Sequence, residues 1–188
     1  MPPDRWTFGG GTVLMRRYRH RFSKDIDIFV PDPQYLGHLS PRLNDIADGL
    51  TMHFNEQANF LKLYLPEGEI DFVVASPLTQ PAARMEHILG RQVQVETSVE
   101  IIAKKIYHRG KDFTARDILD LALLIEKLPE ALVGIRTILR ERREAMLARI
   151  DADHARLRAV FSQLAILEYR RSYDECVDIV RTALINAG

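Results

Sequence analysis

The sequence predicts a mixed α/β core followed by a helical C-terminal part, and three observations predict it. Residues 25–30, 60–65 and 69–75 are runs of alternating or continuous apolar residues of strand length. Pro66-Glu67-Gly68 is a hairpin turn signal that makes the last two of these runs antiparallel neighbours. From about Thr97 onward apolar residues recur at helical spacing, opened by a Thr97-x-x-Glu100 capping box. The division between the mixed part (1–96) and the helical part (97–188) is therefore expected near residue 96.

The elements follow in order. Residues 5–9 are a short first strand that delivers the turn Gly9-Gly10-Gly11, and 12–18 a short helix with Val13 and Leu14 inward. In the next strand Ile26, Ile28 and Val30 share one face and Asp25 and Asp27 the other. Pro31-Asp32-Pro33 forces a turn. The spacing of Leu36, Leu39, Leu43, Ile46, Ala47 and Leu50 predicts one helix over 35–50, interrupted at Gly49. Residues 50–54 are expected to be extended. Pro77 and Pro81 mark a loop, and 84–88 and 92–96 read as short peripheral strands. Helices are expected over 97–108, 114–127, 129–150, 153–169 and 173–187.

Bulk properties narrow the class. With 46% apolar and 28% charged residues, this is the composition of a chain that buries a core. Lys+Arg and Asp+Glu are both 26, so no global field draws the chain to nucleic acid, and any basic partner surface is local. Cys176 is the only cysteine, which excludes an internal disulfide and a Cys-rich zinc site and fits a reducing, cytoplasmic setting. Its neighbours place it on a helix as a small buried hydrophobe rather than a nucleophile. No apolar run approaches a membrane span, and no membrane partner is expected.

The chemistry concentrates near the N-terminus. Carboxylates two apart on a strand lie about 6.5–7 Å apart along one face. Ionised, they repel unless a cation lies between them, and a hard divalent ion with oxygen ligands, Mg²⁺ (or Mn²⁺), suits them. Gly9 to Gly11 lack the Cβ that would keep a phosphate from the backbone, and the free N–H groups of the helix that Thr12 opens favour an anion. A phosphate cradle about 13 residues before a metal-binding Asp-x-Asp strand suits phosphoryl or nucleotidyl transfer. Asp71, inside the apolar run Glu69-Ile70-Asp71-Phe72-Val73-Val74, is either the wet face of an edge strand or a third carboxylate. The third carboxylate is preferred, with Glu69 on the same face as the fallback.

Gly10-Gly11-Thr12, followed by Arg21-Phe22-Ser23-x-Asp25-Ile26-Asp27, resembles the nucleotidyltransferase superfamily. More narrowly it resembles the AbiEii/AbiGii toxin group, with five motif positions in order and at the right spacing. Ala103-x-Lys105, Arg109-Gly110 and Arg116-Asp117-x-x-Asp120-Leu121 are similar to the later motifs of that group, so the likeness covers roughly residues 8–121. Taken alone, Lys105, Arg109, Asp112, Arg116 and Asp120 read more readily as a solvated face laced by charge pairs of about 0.3–0.5 kcal/mol each. The resemblance implies a polymerase β-like nucleotidyltransferase core and transfer of a nucleoside monophosphate from an NTP to an acceptor, with pyrophosphate leaving. It gives the metals to Asp25, Asp27 and Asp71, with Asp71 as base, and the phosphates to Gly10, Gly11, Thr12, Ser23, Arg21 and Lys105. Asp117 orients Lys105 or joins the catalysis, and Asp120 pairs with Arg116. A helical segment ahead of the first strand is also usual in the group, whereas this sequence opens directly on residues 5–9.

By the same resemblance the role is the toxin of a toxin–antitoxin or phage-defence pair, with a separate antitoxin protein as partner and tRNA as an acceptor. Residues 136–171 hold nine arginines and no lysine against five acids, and Arg16, Arg17, Arg19 and Arg21 add a second basic stretch, so an RNA acceptor is compatible. The rival readings are a catalytically silent nucleotide-binding scaffold of the same fold, or a nucleotidylator of a small molecule or protein. The six histidines show no metal-ligand spacing and are expected to be surface or packing residues.

Overall fold

The computed structural model describes residues 4–187 of the 188. The chain divides into two compact units, and it passes between them more than once. The first comprises 1–13, 23–77 and 83–97; the second comprises 14–22, 78–82 and 98–188.

The first unit is built on a seven-stranded mixed sheet. Its strands are β1 (Thr7–Gly9), β2 (Ile26–Val30), β3 (Phe54–Gln57), β4 (Phe60–Leu65), β5 (Gly68–Val74), β6 (Ala83–Ile88) and β7 (Arg91–Glu96), in the spatial order β3-β4-β5-β2-β1-β7-β6. The pairs β3–β4, β4–β5, β1–β2 and β6–β7 are antiparallel, while β2–β5 and β1–β7 are parallel. The expected hairpin forms across Pro66-Glu67, with Leu65 opposite Gly68. Residues 50–54 do not form the expected strand; the extended segment begins at Phe54, after Thr51 caps the preceding helix. The strands expected to be peripheral are a hairpin of which β7 joins the sheet, with Phe8 opposite Val95, so Val95 is fully buried.

Alternation along the sheet packs Leu61, Leu63, Phe72 and Val30 with Leu36 into a core, covered further by Trp6, Ile28, Phe54 and Ile70. Ile26, expected inward, is exposed. The helix expected over 35–50 is two short ones, α2 (Gln34–Leu39) and α3 (Asp45–Leu50). Ser40 before Pro41 is extended, as the proline ring demands of the residue preceding it. Asn44 then caps α3, its side chain accepting from the Ile46 and Ala47 N–H groups.

Helix α1 (Gly10–Tyr18) begins in the first unit and ends in the second. The second unit is otherwise helical, with α4 (Ser98–Arg109), a 3-10 turn (Gly110–Asp112), α5 (Ala115–Lys127), α6 (Ala131–Ala152), α7 (His154–Phe161) and α8 (Tyr173–Asn186). Its core is apolar: Ile101, Ile106, Ile118, Leu121, Leu124, Ile135, Met146, Val180 and Leu184 are essentially solvent-free. Cys176 is fully buried on α8, in the packing role expected of it. The helix expected over 153–169 ends at Phe161. Beyond it the chain runs beside residues 19–22, through Phe22 N–H to Ala165 O, Leu167 N–H to His20 O and Glu168 N–H to Arg19 O. These long-range bonds satisfy backbone groups that a longer helix would have satisfied locally. No helix among the described residues is long and apolar enough to cross a membrane.

Candidate active site

In the first unit, strand register assembles the acidic face. On the parallel pair β2–β5, Asp27 lies directly opposite Asp71. Asp25, two residues before Asp27, accepts the Glu69 N–H through Oδ1 at 3.2 Å, which ties it to the start of β5. Asp71 is three-quarters buried; one of its oxygens, Oδ2, is 3.0 Å from Lys62 Nζ. The other, Oδ1, is buried with no hydrogen-bond partner. Burial holds the Asp71 carboxyl above its usual range; Lys62 pulls it down, and the Glu69 and Asp25 charges push it up again.

The glycine turn packs against these carboxylates. Gly10 has φ +72°, and a Cβ there would sit 1.8 Å from Asp27 Oδ2. A side chain at Gly9 would meet Glu96 Oε2 at 2.4 Å and the Phe29 ring at 2.7 Å. The glycines are thus required by the protein's own side chains. Thr12 Oγ1 donates to the Asp25 carbonyl at 2.5 Å and lies 3.2 Å from Ser23 Oγ, fastening the first turn of α1 to the entry of β2.

These residues fit a divalent cation in donor chemistry: hard carboxylate oxygens on adjacent strands, one of them buried without a donor. Among the described residues no three His, Cys, Asp or Glu side chains are grouped so as to hold an ion, and Lys62 takes up the second Asp71 oxygen.

The second unit carries a buried ionic network. Asp120, fully buried on α5, accepts from His20 Nε2 at 2.7 Å, from Arg21 Nε at 2.8 Å and from Arg21 Nη2 at 2.9 Å. Lys105 Nζ is 3.1 Å from Asp120 Oδ2 and 2.6 Å from Asp117 Oδ1. Asp117 Oδ2 in turn accepts from the Thr114 N–H and hydroxyl, forming the capping box of α5. Burial opposes every one of these charges. The carboxylates overcome it for Lys105, whose pKa is raised. Lys105 and Arg109 hold Asp117 low, while Lys105 and Arg21 hold Asp120 well below the usual carboxylate range.

The partners differ in part from the sequence expectation. Asp120 pairs with Arg21 and Lys105, whereas Arg116 is exposed. Arg21 is a bidentate, buried partner of a carboxylate 99 positions away. His20 and Lys62 were not singled out. Their signal was positional: a histidine beside the motif arginine, and a lysine at an alternating position of the strand opposite Asp71.

The model of the family described as nucleotidyl transferase AbiEii toxin, type IV TA system, matches residues 2–182. The fold is similar to that of JHP933 from Helicobacter pylori, with 14% identity, a TM-score of 0.58, and coverage of 97% of this chain and 83% of that one. It is also similar to the nucleotidyltransferase toxin MenT4 from Mycobacterium tuberculosis, with 18% identity, a TM-score of 0.55 and coverage of 97% and 75%. ANT(2'')-Ia, solved in complex with adenylyl-2''-tobramycin, aligns with 19% identity and a TM-score of 0.53 over 71% of this chain and 86% of that one. At these identities the likeness is one of fold. Among curated protein sequences, none matches the chain.

Proposed function

Because the chain belongs to the AbiEii family of nucleotidyltransferase toxins of type IV toxin–antitoxin systems, we propose that it moves a nucleoside monophosphate from an NTP to an acceptor hydroxyl, with tRNA as acceptor. One observation carries this reading: Asp27 and Asp71 stand in register on adjacent strands, and Asp27 fills the space that a side chain at Gly10 would need.

Asp25, Asp27 and Asp71 are the residues that would hold Mg²⁺ or Mn²⁺. A bound divalent ion supplies charge neutralisation at the transferring phosphoryl group and its leaving pyrophosphate. Asp71 is the residue that would take the proton from the attacking hydroxyl. Gly10, Gly11 and Thr12 bind phosphate through the N–H groups that open α1, since the Thr12 hydroxyl is committed to the Asp25 carbonyl. By family resemblance Lys105 is the cation for the phosphates; within its own unit it is held and kept charged by Asp117 and Asp120. Arg21 acts through Asp120, which takes both arms of its fork. On α6, Arg136, Arg140 and Arg143 fall three and four apart on one face and are not buried, which supports a phosphate-backbone partner. Family membership also implies an antitoxin partner.

The acceptor is tested by incubating the protein with Mg²⁺, each labelled NTP in turn, and total RNA. Label should run with tRNA, and the transfer should fall steeply with added salt. Label on protein or on a small molecule would overturn the RNA acceptor and leave the transferase chemistry in place.

A further inference from the structure

Lys62 on β4 stands beside the acidic side chains of β5. On the antiparallel pair β4–β5, Lys62 lies directly opposite Asp71, so their side chains leave the same face at about 4.5–5.5 Å between Cβ atoms. Lys62 Nζ is 3.0 Å from Asp71 Oδ2 and also donates to Glu69 Oε2, two residues earlier on the same face. Neither end of the Lys62–Asp71 pair is more than one-quarter exposed. Glu69 and Asp71 both pair with this ammonium, and Asp25 and Asp27 lie at the adjoining strand β2, Asp25 tied to the Glu69 N–H and Asp27 opposite Asp71.

We propose that Lys62 is an internal counter-cation: its ammonium competes with the divalent ion for Asp71 and so sets the affinity with which that ion is held. The proposal rests on the reading of Asp25, Asp27 and Asp71 as ion ligands. An ammonium and a divalent ion near one carboxylate repel each other, and the flexible lysine stem has a second acceptor in Glu69 to which it retreats.

Two measurements test this, neither of them an activity. In the first, Mn²⁺ binding is titrated by the magnetic resonance signal of the free ion for the native chain, Lys62→Met and Lys62→Arg. Lys62→Met should bind Mn²⁺ about tenfold more tightly, the electrostatic effect of removing one neighbouring unit charge, and Lys62→Arg should stay near the native value. The second uses native protein only and so does not depend on a variant folding. Acylation of the Lys62 amine, read by mass spectrometry against exposed Lys111, should rise when Mn²⁺ saturates. If binding depends on Asp27 (lost in Asp27→Ala) while Lys62→Met and Lys62 acylation show no change, the inference falls and the ion-ligand reading stands. If native protein binds no Mn²⁺, or binds it equally after Asp27→Ala, both fall.

Discussion

Replacing Asp120 by asparagine removes one negative charge and keeps nearly the same shape, which isolates the electrostatic role of the buried network. In the native chain the Asp120 carboxylate accepts from His20 Nε2, Arg21 Nε and Arg21 Nη2, and pairs with Lys105, in an environment with no solvent. Asparagine would leave the Arg21 guanidinium without its counter-charge and turn an amide N–H₂ toward other donors. Breaking a buried pair from one side costs about 3–5 kcal/mol. In a chain of this size each kcal/mol corresponds to about 2–4 °C, so the melting temperature should drop by roughly 6–20 °C. Urea unfolding of both proteins, followed by circular dichroism, measures the difference directly.

The pH dependence carries a second signature of the same network. Asp117 and Asp120 have depressed folded pKa values, so their contribution is present above the unfolded carboxylate value of about 4 and is lost as pH falls through the folded values. Lys105 is raised; its contribution is present below about 10.4 and is lost as pH rises through its folded value. Asp120→Asn should flatten both slopes. A loss below about 1 kcal/mol, with both slopes unchanged, would refute the account of these residues as a mutually dependent ionic cluster.

Two other predictions are independent of that network. Gly10→Ala meets Asp27 Oδ2 at 1.8 Å and puts a Cβ on a backbone with φ +72°, so Asp27 must move; nucleotide transfer should fall at least about 100-fold, and stability by about 1–3 kcal/mol. Measured kcat/KM near native would show that Asp27 is not held where the sheet places it. Burial pushes the Cys176 thiol up to about 12, with the Glu126 and Glu175 charges adding to it, so the folded protein should resist thiol reagents at pH 8 and react only on unfolding. Rapid stoichiometric labelling of native protein would contradict the packing of α8.

What could be read from the sequence was mainly local. The hairpin of β4 and β5 is written in the alternation around Pro66-Glu67-Gly68. The break between α2 and α3 was also signalled, by Pro41 and the capping Asn44, but the apolar spacing through 36–50 obscured it. By contrast, nothing near Phe161 stops a helix. It ends there because the following segment bonds to residues 19–22, about 145 positions away. The same limit applies to Arg21, which finds Asp120 through a chain crossing that no local pattern encodes, whereas Lys62 opposite Asp71 follows from the register of the hairpin. Gly9 and Gly10 suggested a ligand cradle, while their closest contacts are Glu96, Phe29 and Asp27, contacts visible only once strands β1, β2 and β7 are side by side.

The most direct measurement is pyrophosphate release from NTP and RNA by the native chain, Asp27→Asn and Asp71→Asn, each checked for native circular dichroism. The account predicts robust release by the native chain and a loss of at least about 1,000-fold in both variants. Full release by either folded variant would contradict the assignment of the chemistry to the register pair on β2 and β5.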